Sequence, residues 1–234
     1  MKRTVYLLFL IPLCLVSVLT GMYLFSRTEP VFLLKNVRIK GAEQLAESEI
    51  LRKVYPFLKD SIFGTDMGKV KDAITSHPFV KEVRVKRVFP FSILIDVKER
   101  VPSALWVDRS GTVKMLDEDG QPYRNLMRGS TKGLFVVNAG EPEEARSMFK
   151  QISTWDQQGI IKKADLSEVY YQEGNIVLFG LDDGVEIILG KEEQHQRLKR
   201  AIAVLDDAKK RGLLIKCIDA RFERGAIVRE RKGT

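Results

Sequence analysis

The run from Val5 to Phe25, VYLLFLIPLCLVSVLTGMYLF, holds no charged residue and constrains everything that follows it. A bilayer core of about 30 Å is crossed by about 20 helical residues, so this run is long enough to span. Pro12, Ser17, Thr20 and Gly21 do not argue against a span, because lipid forces the backbone to satisfy itself as a helix. Lys2 and Arg3 precede the run and favour a cytoplasmic N-terminus. Arg27 and the basic residues after it weaken that asymmetry, so the orientation rests on the short basic tail. The expected order is a cytoplasmic tail at 1–4, a transmembrane helix at 5–25, a linker at 26–31, and a body outside the cytoplasm. Tyr6 and Tyr23 fall near the two interfaces.

Three other readings fit less well. A cleaved signal peptide has a shorter apolar region and then a small-x-small site. Gly21-Met22-Tyr23-Leu24-Phe25 offers no such site. A lipoprotein signal needs small residues before its cysteine, whereas Cys14 follows Ile11-Pro12-Leu13. A buried core helix would not sit at the extreme N-terminus. Outside the span only Cys217 remains, so no internal disulfide is expected.

At 234 residues the chain suggests one or two domains. With 44% hydrophobic and 30% charged residues, it can bury a core. The net charge of +8 suits an acidic partner or an anionic membrane surface, but on composition alone ordinary solubility accounts for it better. Behind a membrane, nucleic acid is a poor partner.

The body begins with Asn36-Val37-Arg38-Ile39-Lys40, whose alternation predicts a half-buried strand ended by Gly41. Ser48 to Leu58 reads as a helix with Ile50, Leu51, Val54 and Leu58 inward, limited by Pro56. A second helix runs from Asp66, a plausible cap, to Ser76, with Met67, Val70, Ala73 and Ile74 inward. Val80 to Val88 and Ser92 to Glu99 alternate as strands about a Phe89-Pro90 turn. Strand, helix, helix, strand, strand makes a sheet with one face covered by helices.

From Trp106 the rhythm changes. Ser110-Gly111, Asp119-Gly120, Gly174-Asn175, Asp183-Gly184 and Arg224-Gly225 punctuate short strands. Strand candidates are Leu134 to Val137, Leu166 to Tyr171, Ile176 to Phe179, Val185 to Leu189, Ile215 to Ala220 and Ala226 to Arg229. Two helices interrupt them. Pro142 to Gln158 carries Ala145, Met148, Phe149, Ile152 and Trp155 on one stripe, and stops at Gly159. Glu192 to Lys210 carries Leu198, Ala201, Ile202, Leu205 and Ala208, and stops at Gly212.

Several runs together carry a resemblance. They are Val37-Arg38-Ile39-Lys40-Gly41, Ser61-Ile62-Phe63-Gly64-Thr65-Asp66, His77-Pro78-Phe79-Val80, Val83 to Pro90, and Ile93 to Trp106. Residues Phe32 to Trp106 resemble a POTRA domain. The last two runs are similar to the POTRA end of the bacterial cell-division family FtsQ/DivIB, whose order of tail, span, POTRA domain and β-rich domain this chain repeats. The resemblance implies an α+β fold: one transmembrane helix, a POTRA domain (β-α-α-β-β) at 32–104, a mainly antiparallel β-rich domain with two helices at 105–230, and a tail at 231–234.

The resemblance also implies a scaffold of the division machinery, in the inner membrane at the septum. Its partners are expected to be the FtsB–FtsL coiled-coil pair, bound through the last strands, with other division proteins meeting the POTRA domain. The matching stretch is Cys217 to Val228, an Asp-x-Arg-aromatic run followed by a hairpin, with Phe222 where many members carry tyrosine. The implied partner-binding residues are Arg221, Phe222, Arg224, Gly225, Ala226 and Val228. A final edge strand leaves N–H and C=O groups unpaired, and a partner can add a strand to them. Arg221 would meet an acidic residue and Phe222 would anchor. Two bland readings stay open beside these: Phe222 as core, and Arg221, Arg224 and Arg229 as solvated edge charges. The basic faces around Lys35, Arg38, Lys40, Arg84 and Lys86 suit recruitment or plain solvation.

No catalytic reading finds a site. His77 precedes Pro78 at a helix end, and His195 sits in a charged first turn. HxxxH, CxxC, HExxH, Gly-rich phosphate loops and GxSxG are missing from the sequence, so no enzyme activity, metal or cofactor is expected. The competing function is a POTRA-type chaperone or transport adaptor for outer-membrane or secreted clients. One POTRA unit and no barrel-length strand array disfavour it.

Overall fold

The computed structural model describes residues 2–28, 32–126, 133–180 and 184–231, with side chains from 11 to 24 in the first stretch. Met1 of the tail, 29–31 of the linker, Asp183 of the Asp183-Gly184 turn and 232–234 of the C-terminal tail lie outside the described residues. Helix α1 (Lys2–Thr28) runs continuously through Pro12. Its described side chains are exposed, Leu13 at 69% and Met22 at 70%, and apolar apart from Ser17 and Thr20, whose hydroxyls donate to Cys14 O and Val16 O. Among the described residues no helix is long and apolar enough to cross a membrane.

The chain divides into two compact units, 1–100 and 101–234. In the first, β1 (Asn36–Lys40), α2 (Glu47–Val54), α3 (Met67–Thr75), β2 (Val80–Val88) and β3 (Ser92–Glu99) follow in the expected order. The central β3 pairs parallel with β1 and antiparallel with β2. Ile50, Val54, Val70 and Ile74 pack on Val83, Ile93, Ile95 and Val97. Leu51, expected in that stripe, is 39% exposed, because Ile50 and Val54 already define the buried line of a short helix. Pro56 ends α2 in a 3-10 turn, Tyr55–Phe57. Asp66 caps α3 as expected, accepting from Gly68 N and Lys69 N.

Two polar residues fix this unit. Glu99 is buried, and its carboxylate accepts the N–H groups of Glu43, Gln44 and Leu45 at 2.9–3.1 Å. This loop follows Gly41, whose φ is +76° and whose missing Cβ would stand 2.1 Å from the Val97 carbonyl oxygen. His77 has a structural place too. Its Nδ1 accepts from Phe79 N, and its Nε2 lies 3.3 Å from Glu49.

Among the described residues, the second unit is one nine-stranded sheet with two long helices. Its strands are β4 (Ala104–Val107), β5 (Val113–Leu116), β6 (Pro122–Asn125), β7 (Val136–Asn138), β8 (Glu168–Gln172), β9 (Asn175–Gly180), β10 (Val185–Leu189), β11 (Ile215–Asp219) and β12 (Ile227–Glu230). The spatial order is β12-β11-β10-β9-β8-β7-β4-β5-β6. Antiparallel neighbours predominate, but β4–β7, β7–β8 and β10–β11 are parallel. Helix α4 (Pro142–Gln157) is the crossover from β7 to β8, and α5 (Gln194–Lys210) the crossover from β10 to β11.

Both helices bury the stripes read from the sequence, except that Ile202 of α5 is only partly buried. Met148, Phe149, Ile152 and Trp155 of α4, with Leu198, Ala201 and Leu205 of α5, meet Val137, Leu178, Ile187 and Ile218 of the sheet. Trp106 is buried there, and its indole N–H donates to Ala139 O at 2.9 Å. The opposite face of the sheet carries a smaller cluster of Val177, Ile188 and Cys217, with Tyr170 against it.

Candidate partner-binding edge

Among the described residues the sheet ends at β12. The register pairs Cys217 with Arg229, Ile218 with Val228 and Asp219 with Ile227, and shifts between Ile215 and Cys217. All four β12 residues are exposed. Beyond the strand, Arg231 N donates inward to Leu214 O. Antiparallel strands turn their amides inward and outward in alternation. Arg229 and Ile227 therefore face β11, and Val228 and Glu230 turn their N–H and C=O away from the sheet.

The loop from Arg221 to Ala226 joins β11 to this edge, and helix α5 shapes it. Arg197, buried on the inner face of α5, donates from Nη1 to Arg221 O at 2.6 Å. One turn on, Arg200 Nη1 reaches three carbonyls: Phe222 O at 3.2 Å, Glu223 O at 2.7 Å and Gly225 O at 3.3 Å. Gly225 turns the chain with φ +87° and open space around it, a conformation that favours glycine.

The six residues expected at the site lie together on this loop and strand, in different states. Arg221 is not a free cation. Its Nε and Nη2 donate to the two carboxylate oxygens of Asp219 at 2.9 and 2.7 Å, a bidentate pair, and its backbone N donates to the same carboxylate. The guanidinium holds the Asp219 carboxyl below its usual range, against the opposing effect of partial burial. Phe222 is 45% exposed, so core packing does not account for it. Arg224 is exposed, Ala226 packs partly against the core, and Val228 sits on the open edge.

Beside the loop, Arg221 and Arg229 line a polar cleft of ≈ 290 Å³ with Gln172, Glu173, Asn175, Glu186 and Ile188. Burial pushes the Cys217 thiol up there, although Arg229 Nη2 donates to its sulfur at 3.4 Å. Tyr170 donates to Glu186 at 2.9 Å, and burial, then that carboxylate, push its hydroxyl up to about 12.

Sequence reasoning missed Arg197, Arg200 and Gly190, and it placed Asp219 in the Asp-x-Arg run without its pairing to Arg221. For Arg197 a signal existed. It falls four residues before Ala201 and beside Leu198, on the stripe that otherwise reads apolar. Gly190 follows β10, and a Cβ there would meet Arg197 Nη1 at 2.0 Å, so the guanidinium passes through the space a side chain would fill.

A two-helix, three-stranded unit followed by a mixed sheet that ends in an open strand defines the class: a POTRA-bearing protein with an added β-domain. A family model for the POTRA domain of FtsQ type matches residues 32–100. A model for the C-terminal part of cell division protein FtsQ/DivIB matches 104–221. The chain belongs to the FtsQ/DivIB family of cell-division proteins. It is 25% identical over 219 residues to the cell division protein FtsQ of Geobacter sp. (strain M21), covering 88% of this chain and 79% of that protein. The FtsQ of Myxococcus fulvus is 26% identical over 205 residues, covering 83% and 71%. That of Caulobacter vibrioides reaches 36% over 90 residues, covering 38% of this chain and 30% of its own. The second family match ends at Arg221, so Phe222 to Val228 stand beyond it.

Proposed function

We propose that this chain is a non-enzymatic scaffold of the division machinery, anchored by α1 as a single membrane span. The N-terminus is cytoplasmic and the body periplasmic, at the septum. It binds the periplasmic parts of an FtsB–FtsL-type pair and links early division proteins to septal peptidoglycan synthesis. The charge-free run Val5 to Phe25 and the exposure of Leu13, Leu15, Val18 and Met22 support the span.

The observation that carries the reading is the open edge of β12. The outward amides of Val228 and Glu230 offer a template for an added strand, flanked by the exposed Phe222 and Ile227 as apolar contacts. Arg221, tied to Asp219, presents an oriented guanidinium whose other face is solvent-accessible, which suits a carboxylate on the partner.

Photo-crosslinking in living cells tests it. A reactive side chain at Phe222 or Val228 should capture one small single-pass coiled-coil protein. The same probe at Arg109, 75% exposed at a distant strand end, should not. Capture of many outer-membrane clients at these positions would instead favour a chaperone, and equal capture at Arg109 would remove the case for this edge.

A further inference from the structure

One end of the first unit gathers aromatic side chains from three separate segments. Phe32 comes before β1, Phe63 from the loop before α3, and Phe89 from the β2–β3 turn. Their ring centroids lie 5.2 Å (Phe32–Phe63), 5.6 Å (Phe63–Phe89) and 6.5 Å (Phe32–Phe89) apart. The cluster is not core. Phe89 is 60% exposed at the turn, and Leu33 beside Phe32 is 37% exposed. The backbone holds the three segments together, since Ile62 N donates to Phe32 O, Leu34 N to Asp60 O and Lys35 N to Phe91 O. Arg87 locks the loop from the other side, donating to Ile62 O and Thr65 O. The exposed aromatic end is therefore rigidly built.

Its charge is one-sided. Lys35, Lys59, Lys86 and Arg87 are exposed at this end, and Lys35 Nζ lies 5.4 Å from the Phe91 ring centroid. Asp60 is the acidic residue among them, and Asp66, a little further on, caps α3. Aromatic side chains with cations around them are the composition that settles at a bilayer surface, the rings among the acyl boundary and the cations at anionic headgroups.

Chain length supplies the occupant. Phe32 follows Thr28, the last residue of α1, by four residues. A chain covers at most about 3.6 Å per residue, so the aromatic end cannot lie more than about 15 Å from the end of that helix. We propose that the Phe32–Phe63–Phe89 end of the first unit rests in the outer surface of the membrane, with Phe89 inserted and Lys35, Lys59 and Lys86 on anionic lipid headgroups. The proposal rests on the reading of α1 as a membrane span. Through it, the unit is held at a fixed height and orientation rather than swinging on a short tether.

The test uses the full chain in vesicles of phosphatidylethanolamine and phosphatidylglycerol, with bromine on the upper acyl carbons. The native Trp106 and Trp155 are buried in the second unit and give a constant background. Phe89→Trp should add a blue-shifted emission that the brominated lipid quenches about twofold or more. Tyr55→Trp, at a site 77% exposed on the 3-10 turn after α2, should add emission that is not quenched. The triple variant Lys35→Glu, Lys59→Glu, Lys86→Glu should lower the quenching of Phe89→Trp. Tyr23→Trp, inside α1, reports the span itself. Quenching at Tyr23→Trp with a water-exposed, unquenched Phe89→Trp would overturn the surface contact and leave the span standing. An unquenched Tyr23→Trp would overturn the span, and the contact with it.

Discussion

Arg197 and Arg221 meet through one hydrogen bond, from Nη1 of a buried guanidinium on α5 to the carbonyl oxygen that follows β11. The bond sets where the loop leaves the sheet, and Gly190 leaves the space it crosses. Gly190→Ala would place a methyl 2.0 Å from Arg197 Nη1, so the guanidinium must leave or the strand ends must part. We expect a loss of about 1–3 kcal/mol, read as a lower urea midpoint, together with weaker partner capture at Phe222.

Arg200 acts on the same loop from an exposed position, with one nitrogen shared among the carbonyls of Phe222, Glu223 and Gly225. Such contacts add little global stability. Arg200→Ala should cost about 1 kcal/mol or less, yet raise amide hydrogen exchange across 222–226. Unchanged exchange there would mean that the loop holds its shape without the clamp.

In the first unit the buried carboxylate of Glu99 serves three backbone donors, from Glu43, Gln44 and Leu45. Glu99→Ala strands all three beside the core and should destabilise by about 2–4 kcal/mol. Glu99→Gln keeps an acceptor and should cost less. Urea unfolding of the full chain, followed by a probe in the first unit, separates the two.

How far the sequence carried the reading depended on periodicity. Ala145, Met148, Phe149, Ile152 and Trp155 repeat at helical spacing, and all are buried in α4. The alternation in Ser92 to Glu99 likewise foretold the faces of β3. The strands before β7 were harder. Of β4, β5 and β6, only the intervening turns at Ser110-Gly111 and Asp119-Gly120 stood out, because each strand is four residues long. Parallel pairing of β7 with β8 and of β10 with β11 was not visible, since a helix between strands fixes the crossover but not which neighbour receives it. At the edge, the run from Asp219 to Val228 was legible as a loop and strand. Whether Phe222 faced core or solvent was not, because a lone aromatic in a turn has no period to place it. The clasp of Arg221 on Asp219 hides in the same way, as an Asp-x-Arg spacing that pairs only when the backbone bends back.

That clasp gives a pH dependence. The Asp219 carboxyl titrates below its usual value of 3.8 because Arg221 donates to it. A carboxyl depressed in the folded state contributes stability that is fully present above its unfolded pKa and is lost as pH falls through the lower folded pKa. Arg221 is 42% exposed, so solvent screening limits the contribution to about 1 kcal/mol or less. The stability of the natural chain should fall on acidification below about pH 4 more steeply than that of Asp219→Asn, and the two curves should converge in strong acid. Parallel curves would mean that the pair adds nothing to folding.

The strand-addition reading makes a directional claim about backbone amides, and proline tests it. Val228 turns its N–H outward, so Val228→Pro removes a donor that β11 does not use. A proline with its missing N–H on the open side is tolerated in an edge strand. The fold should therefore survive, with an unfolding midpoint near that of the natural chain, while the added strand loses a ladder bond and meets the proline ring. Partner binding should weaken about tenfold or more. Arg229→Pro is the converse, since its N–H faces β11, and it should release β12 and lower stability itself. Pull-down of the periplasmic partner, beside thermal unfolding of both variants, reads the contrast. If Val228→Pro binds as tightly as the natural chain, the partner sits on the side chains of Phe222 and Arg221 and not on the strand edge.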